Sequence, residues 1–137
     1  MDEGMKELAG YRFARAQETL IVAEELLCKE CYKDANNRSY YAAFYAMKAV
    51  YALKGEDFKK HKVLMANFNK EFVATEIFPR TLGKRISAMA IVREQSDYND
   101  FYVASKEECK IQVDTAKEII YYVMKYLNEF GVRTESV

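Results

Sequence analysis

The fold turns on one stretch, Asn36-Asn37-Arg38-Ser39-Tyr40-Tyr41-Ala42-Ala43-Phe44-Tyr45-Ala46-Met47-Lys48-Ala49-Val50-Tyr51-Ala52-Leu53. After Arg38 it carries a single charge, Lys48, among aromatic, aliphatic and alanine side chains. Tyr40, Phe44, Met47 and Tyr51 recur at helical spacing, and Tyr41, Tyr45 and Lys48 do so on the next face, so apolar surface wraps most of the cylinder. Such a helix is expected to sit inside the molecule. Ala42, Ala46 and Ala49 form a line of small side chains that lets another helix approach closely, from the same chain or from a second copy. The polar Asn-Arg-Ser-Tyr-Tyr entrance needs hydrogen-bond partners once buried, which marks that end as the place to look for a site.

Working outward, the scarcity of turn formers supports a helical reading. One proline and five glycines in 137 residues leave room for few loops, and no sustained alternating Val/Ile/Thr pattern points to a sheet. The spacing predicts a first helix on Met5, Ala9, Phe13, Ala16, Leu20, Ala23 and Leu27, ending near Cys28 to Tyr32. Asp34 or Asn36 can cap the helix of the opening stretch, and Lys54-Gly55 stops it. Asp57 can cap a third helix with a stripe of Phe58, His61, Met65, Phe68 and Phe72. Ile77-Phe78-Pro79-Arg80 breaks that pattern. A fourth helix, Thr81 to about Ser96, runs Leu82, Ile86, Met89 and then turns charged at Arg93 and Asp97. Ser105-Lys106-Glu107-Glu108 is a capping box opening a heptad-like helix on Cys109, Val113, Ala116, Ile120, Val123, Leu127 and Phe130. The expected architecture is all-α, one domain over 1–137, an antiparallel bundle of four to five helices, with a frayed tail at 132–137. The alanine line and the heptad helix are the candidate contacts of a dimer.

Charge and cysteines bound the function. The net charge is zero, but Phe58 to Arg93 holds eight basic residues against two acidic ones, flanked by acidic segments. That basic middle can mark a phosphate or nucleic-acid surface, or simply a solvated face. Three cysteines, an odd number, without a basic leader or a long apolar span, are read as reduced thiols in a cytoplasmic protein with no membrane role. Cys28-x-x-Cys31 is half a zinc site or a redox pair only if other ligands gather round it, and plain packing is the preferred reading. Gly-rich phosphate loops, H-E-x-x-H and G-x-S-x-G strings do not occur, which leaves the common nucleotidases, zinc hydrolases and serine hydrolases unsupported.

Arg93 and Asp97 stand one helical turn apart on an inward edge, where an unpaired charge is expensive. They form either an ion pair pinning the helix end or a held arginine whose planar donors face a phosphate, with Tyr98 beside it. His61, the only histidine, lies in the first turn of its helix among Lys59, Lys60 and Lys62, where cations and backbone N–H groups favour an anion. It reads as a packed core residue or as the one base that titrates near neutral pH. Asn37, Arg38, Tyr40 and Tyr41 carry the polar groups of the central helix entrance, and Asp97 or a ligand can serve as partner to Arg38.

Tyr32-Lys33-Asp34-Ala35-Asn36-Asn37-Arg38-Ser39-Tyr40-Tyr41-Ala42-Ala43-Phe44-Tyr45-Ala46, then His61, then Arg93-x-x-x-Asp97-Tyr98 together resemble the HEPN domain (higher eukaryotes and prokaryotes nucleotide-binding), in its small stand-alone bacterial and archaeal form. The resemblance implies a helical bundle that pairs as a homodimer around a cleft. It also implies a toxin-antitoxin role: a metal-independent endoribonuclease that uses no cofactor, paired with a small nucleotidyltransferase that acts as antitoxin and AMPylates a tyrosine, for which Tyr98 is the nearest candidate. The family's R-x4-6-H motif starts at Arg93, but positions 98, 99 and 100 are Tyr, Asn and Asp. The catalytic set it implies is Arg93 and Asp97 with Tyr98 or His61 moving protons, and Asn37, Arg38, Tyr41, Lys59, Lys60 and Lys62 meeting RNA or nucleotide. The other function open to the same cleft is a non-catalytic module that binds nucleotide, RNA or a protein partner.

Overall fold

The long apolar stretch is α2, Tyr32–Leu53, and it touches every other helix of the chain. In the computed structural model, which describes residues 2–135, α1 (Glu3–Cys28) lies against it, followed by α3 (His61–Phe68), α4 (Leu82–Tyr98) and α5 (Lys106–Glu129). Among the described residues there is no strand, and no helix is long and apolar enough to cross a membrane. The chain folds as an all-helical bundle. Its core is built on α2: Tyr40, Phe44, Met47, Val50, Tyr51 and Leu53 are buried together with Phe13 of α1, Phe68 of α3 and Phe72 just beyond it, Ile86 and Met89 of α4, and Ile119, Val123 and Leu127 of α5.

Ala42, Ala46 and Ala49 have no exposed surface within this one chain. The heptad face of α5 is likewise consumed internally at Cys109, Val113, Ala116, Ile120, Val123 and Leu127. Apart from Phe130 at the end of the heptad face, which is exposed, neither surface is free to join two copies, which corrects their reading as dimer contacts. Small side chains here serve the close approach of helices inside the monomer.

Helix boundaries differ from expectation where the backbone, not a side chain, makes the cap. The α1 helix ends at Cys28, within the expected range, in a Schellman turn: Glu30 has φ 63°, its N–H donates to Leu27 O, and the Cys31 N–H donates to Leu26 O. No glycine announces this turn. The α2 helix then starts at Tyr32 with Cys31 as an N-cap that offers no side-chain bond, so neither Asp34 nor Asn36 caps it. Lys54 and Gly55 do stop it, with Gly55 at φ 71°. Asp57 is no cap either. Its carboxylate takes the Phe58 N–H and lies 3.5 Å from Arg12 and 3.3 Å from Lys48, which hold its pKa below the usual carboxylate range despite partial burial. His61 begins α3, and the helix widens into a π turn over Asn69–Val73 that keeps Phe72 and Val73 in the core.

Ser105 caps α5 by accepting the Glu108 N–H at 3.1 Å, while the Glu108 carboxylate accepts the Tyr102 hydroxyl. The expected frayed end does not begin at Val132. Val132 and Thr134 are buried, and the Thr134 hydroxyl donates to Asn128 Oδ1 at 3.0 Å. Residues 136 and 137 lie outside the described residues.

Candidate functional site

The polar entrance of α2 meets the charged end of α4. Successive residues on a helix point about 100° apart, so Asn36 and Asn37 face different surroundings. Asn36 is 1% exposed and donates through Nδ2 to Ser96 Oγ at 3.1 Å. This buried bond ties α2 to α4 directly behind the site. Asn37, one residue on, donates through Nδ2 to Asp97 Oδ2 at 2.9 Å, and its Oδ1 accepts from both Nε and Nη2 of Arg38. Arg38 therefore reaches Asp97 only through Asn37, which corrects the direct Arg38–Asp97 pairing.

Arg93 is the centre of the arrangement. Its Nε lies 3.1 Å from Asp97 Oδ2, an ionic contact too bent for a hydrogen bond, and its Nη2 donates to the Tyr41 hydroxyl at 2.9 Å. The guanidinium stands 5.1 Å from the Tyr40 ring, 5.5 Å from Tyr41 and 5.4 Å from Tyr98. Burial opposes its charge, but Tyr41, Tyr98 and Asp97 outweigh that, and its pKa is raised. Arg38 lies 5.0 Å over the same Tyr41 ring. Two guanidinium groups thus share Tyr41 and are linked through Asn37 and Asp97. A guanidinium has five N–H donors, so Arg93 keeps donors on Nη1 for an incoming anion.

His61 joins this cluster from α3. Its ring packs against Phe44 at 4.2 Å, tilted by 48°, and lies 5.3 Å from Tyr41 and 5.8 Å from Tyr40, the two tyrosines that also flank Arg93. Burial, then the charges of Arg93 and Lys48, lower its pKa below the ordinary value. An imidazole with a lowered pKa is neutral at pH 7 and able to accept a proton. Burial also pushes the Tyr40 phenol up to about 12, so it stays protonated.

The structure thus brings Arg93, Asp97, Tyr98, His61, Asn37, Arg38 and Tyr41 into one neighbourhood. Of the three lysines, Lys62 reaches 3.9 Å from Glu94, next to Arg93 in sequence, while Lys59 and Lys60 are exposed at the entrance of α3. The Asn36–Ser96 bond and the Phe44 support under His61 were not foreseen, because a buried polar pair sixty positions apart leaves no local pattern. Cys28 and Cys31 are exposed beside the α1–α2 turn, whereas Cys109 is buried with its thiol pushed up to about 11 by burial. Among the described residues no group of three or more His, Cys, Asp or Glu side chains is placed to hold a metal.

Comparison with known proteins reaches the same region of the sequence. The family model described as the HEPN domain matches residues 9–127. The "UPF0332 protein" of Thermotoga maritima is 34% identical over 94% of this chain and 97% of its own length. Two proteins of Methanocaldococcus jannaschii, both bearing the name "putative toxin", are 30% identical over 82% of this chain and 77% of their counterpart, and 29% identical over 83% and 84%.

Proposed function

This chain belongs to the HEPN family, and from that premise we propose that it works as a toxin-type member, a metal-independent endoribonuclease acting through Arg93 and His61. One observation carries the reading: the Arg93 guanidinium and the His61 imidazole lie against the same two tyrosines, Tyr40 and Tyr41. A cation that stabilises a phosphorane and a neutral base that accepts a proton are the two parts RNA transesterification needs. His61 takes the proton of the ribose 2′-hydroxyl, the 2′ oxygen bonds to phosphorus, and the bond from phosphorus to the 5′ oxygen breaks. Arg93, held in place by Asp97 and Tyr41, neutralises the charge that develops on the phosphoryl oxygens. Tyr98, 72% exposed beside Arg93, returns a proton to the leaving 5′ oxygen. The products are a 2′,3′-cyclic phosphate and a 5′-hydroxyl.

Names given to the Methanocaldococcus relatives support the toxin part of this reading. As partners we propose a second copy of the chain and a small nucleotidyltransferase antitoxin that modifies Tyr98, a side chain open to solvent. The test is cleavage of a labelled mixed-sequence RNA in EDTA by the wild type and by Arg93→Ala. Loss of a preorganised donor to the transition state costs on the order of 10²-fold or more in rate, so cyclic-phosphate products from the wild type should fall by at least that much. Cleavage retained by Arg93→Ala removes Arg93 from the chemistry. No cleavage by the wild type favours the second reading, RNA or nucleotide binding without turnover, which the Tyr, Asn and Asp at positions 98–100 support.

A further inference from the structure

The α4–α5 loop, which follows Tyr98, holds an exposed aromatic side chain that this chemistry does not use. Phe101 is 94% exposed and Val103 86% exposed, a few positions beyond the open ring of Tyr98. The loop is nonetheless built, through hydrogen bonds centred on Asn99. Its carbonyl accepts the Tyr102 N–H at 3.1 Å, its Oδ1 accepts the Phe101 N–H at 3.1 Å, and its Nδ2 donates to Gln95 Oε1 at 2.8 Å. Tyr102 is anchored to Glu108 of α5 through its hydroxyl. Phe101, in the same turn, is left facing outward, although burying a phenylalanine would gain about 2 kcal/mol.

We infer that Phe101 is a base-stacking subsite for single-stranded RNA, taking the nucleobase next to the phosphate held at Arg93. The inference rests on the RNA reading of the Arg93 cluster. Phe101 lies three positions after Tyr98, so their Cα atoms stand no more than about 11 Å apart, within the reach of neighbouring nucleotides. Tyr98 itself lies 5.4 Å from the Arg93 guanidinium, so the loop that carries Phe101 leaves α4 at the cation. Charge divides the labour between them. Arg93 and Arg38 supply the positive end, while the exposed Asp100 disfavours a phosphate at Phe101 and leaves its ring for the uncharged base. Stacking on an aromatic side chain accepts every base, so the subsite adds affinity and register without choosing a sequence.

The chain contains no tryptophan, so Phe101→Trp installs a single reporter at the proposed contact. A short 2′-O-methyl oligoribonucleotide, which cannot be cleaved, serves as the probe. Its addition should quench the indole fluorescence of Phe101→Trp, and an oligonucleotide with an internal abasic run should not. Phe101→Ala should bind the probe about tenfold more weakly than the wild type, as expected for one lost stack, with Phe101→Tyr restoring affinity. Wild-type affinity in Phe101→Ala, combined with lost affinity in Arg93→Ala, would overturn the stacking subsite and leave the RNA reading in place. A wild type that does not bind the probe would overturn both. A change of oligomeric state in Phe101→Ala, measured by light scattering, would reassign the ring to a contact between copies and likewise overturn the inference.

Discussion

Arg93 illustrates how one side chain can be structural and chemical at once. Its contact with Asp97 pins the end of α4, yet the same contact fixes the plane of the guanidinium and leaves Nη1 unengaged. The ion-pair reading and the phosphate reading therefore describe two sides of one residue. Its charge also reaches His61, whose lowered pKa comes first from burial and then from Arg93 and Lys48. Between the native and unfolded pKa values the unfolded chain binds the extra proton, so the contribution of His61 to stability is fully present above about pH 6.5 and is lost as pH falls toward the native value. An NMR titration of the imidazole should give a midpoint below 6.5, moving upward in Arg93→Ala. An unchanged midpoint would show that Arg93 does not act on His61, and the pairing of cation and base proposed above would lose its electrostatic link.

Elements were legible from the sequence wherever a side chain or an apolar stripe announces them, and obscure wherever the backbone alone does the work. The α2 helix could be read because its composition admits no solvent face, and α5 because Ser105 caps it on a regular stripe. The start of α2 could not, because the chain turns at Glu30 with a positive φ and no glycine to signal it. The cluster itself was half legible. Arg93, Asp97 and Tyr98 share a helix and show themselves by spacing, whereas the approach of His61 to Tyr41 depends on how α3 docks, which no local pattern encodes. The same turn yields a prediction. A left-handed conformation costs a non-glycine residue roughly 1 kcal/mol or more, and Glu30 makes no side-chain bond among the described residues that offsets it. Glu30→Gly should therefore stabilise the fold by about 0.5–1 kcal/mol, read as a higher urea midpoint at constant slope. A lower midpoint would mean that the turn is held by more than backbone preference.

At the scale of the molecule, the bundle is unequal in how firmly its parts are held. The α2 helix is enclosed by all the others, whereas α3 is eight residues long, opens on exposed lysines and relaxes into a π turn. Protection against amide hydrogen exchange follows such differences, because enclosed segments exchange only when the whole domain unfolds and lightly packed ones open on their own. Amides of Ala42 to Val50 should therefore exchange at the global unfolding rate, and those of Leu64 to Phe68 orders of magnitude faster; equal rates would mean that α3 opens only with the rest. The cluster spans this divide, with Arg93 and Tyr41 on the α2–α4 frame and His61 on α3, the segment expected to open first. If exchange shows α3 opening ahead of the bundle, the proton acceptor is withdrawn from the cation each time it does, and the population of the docked state of α3 then sets an upper limit on the fraction of molecules competent to react.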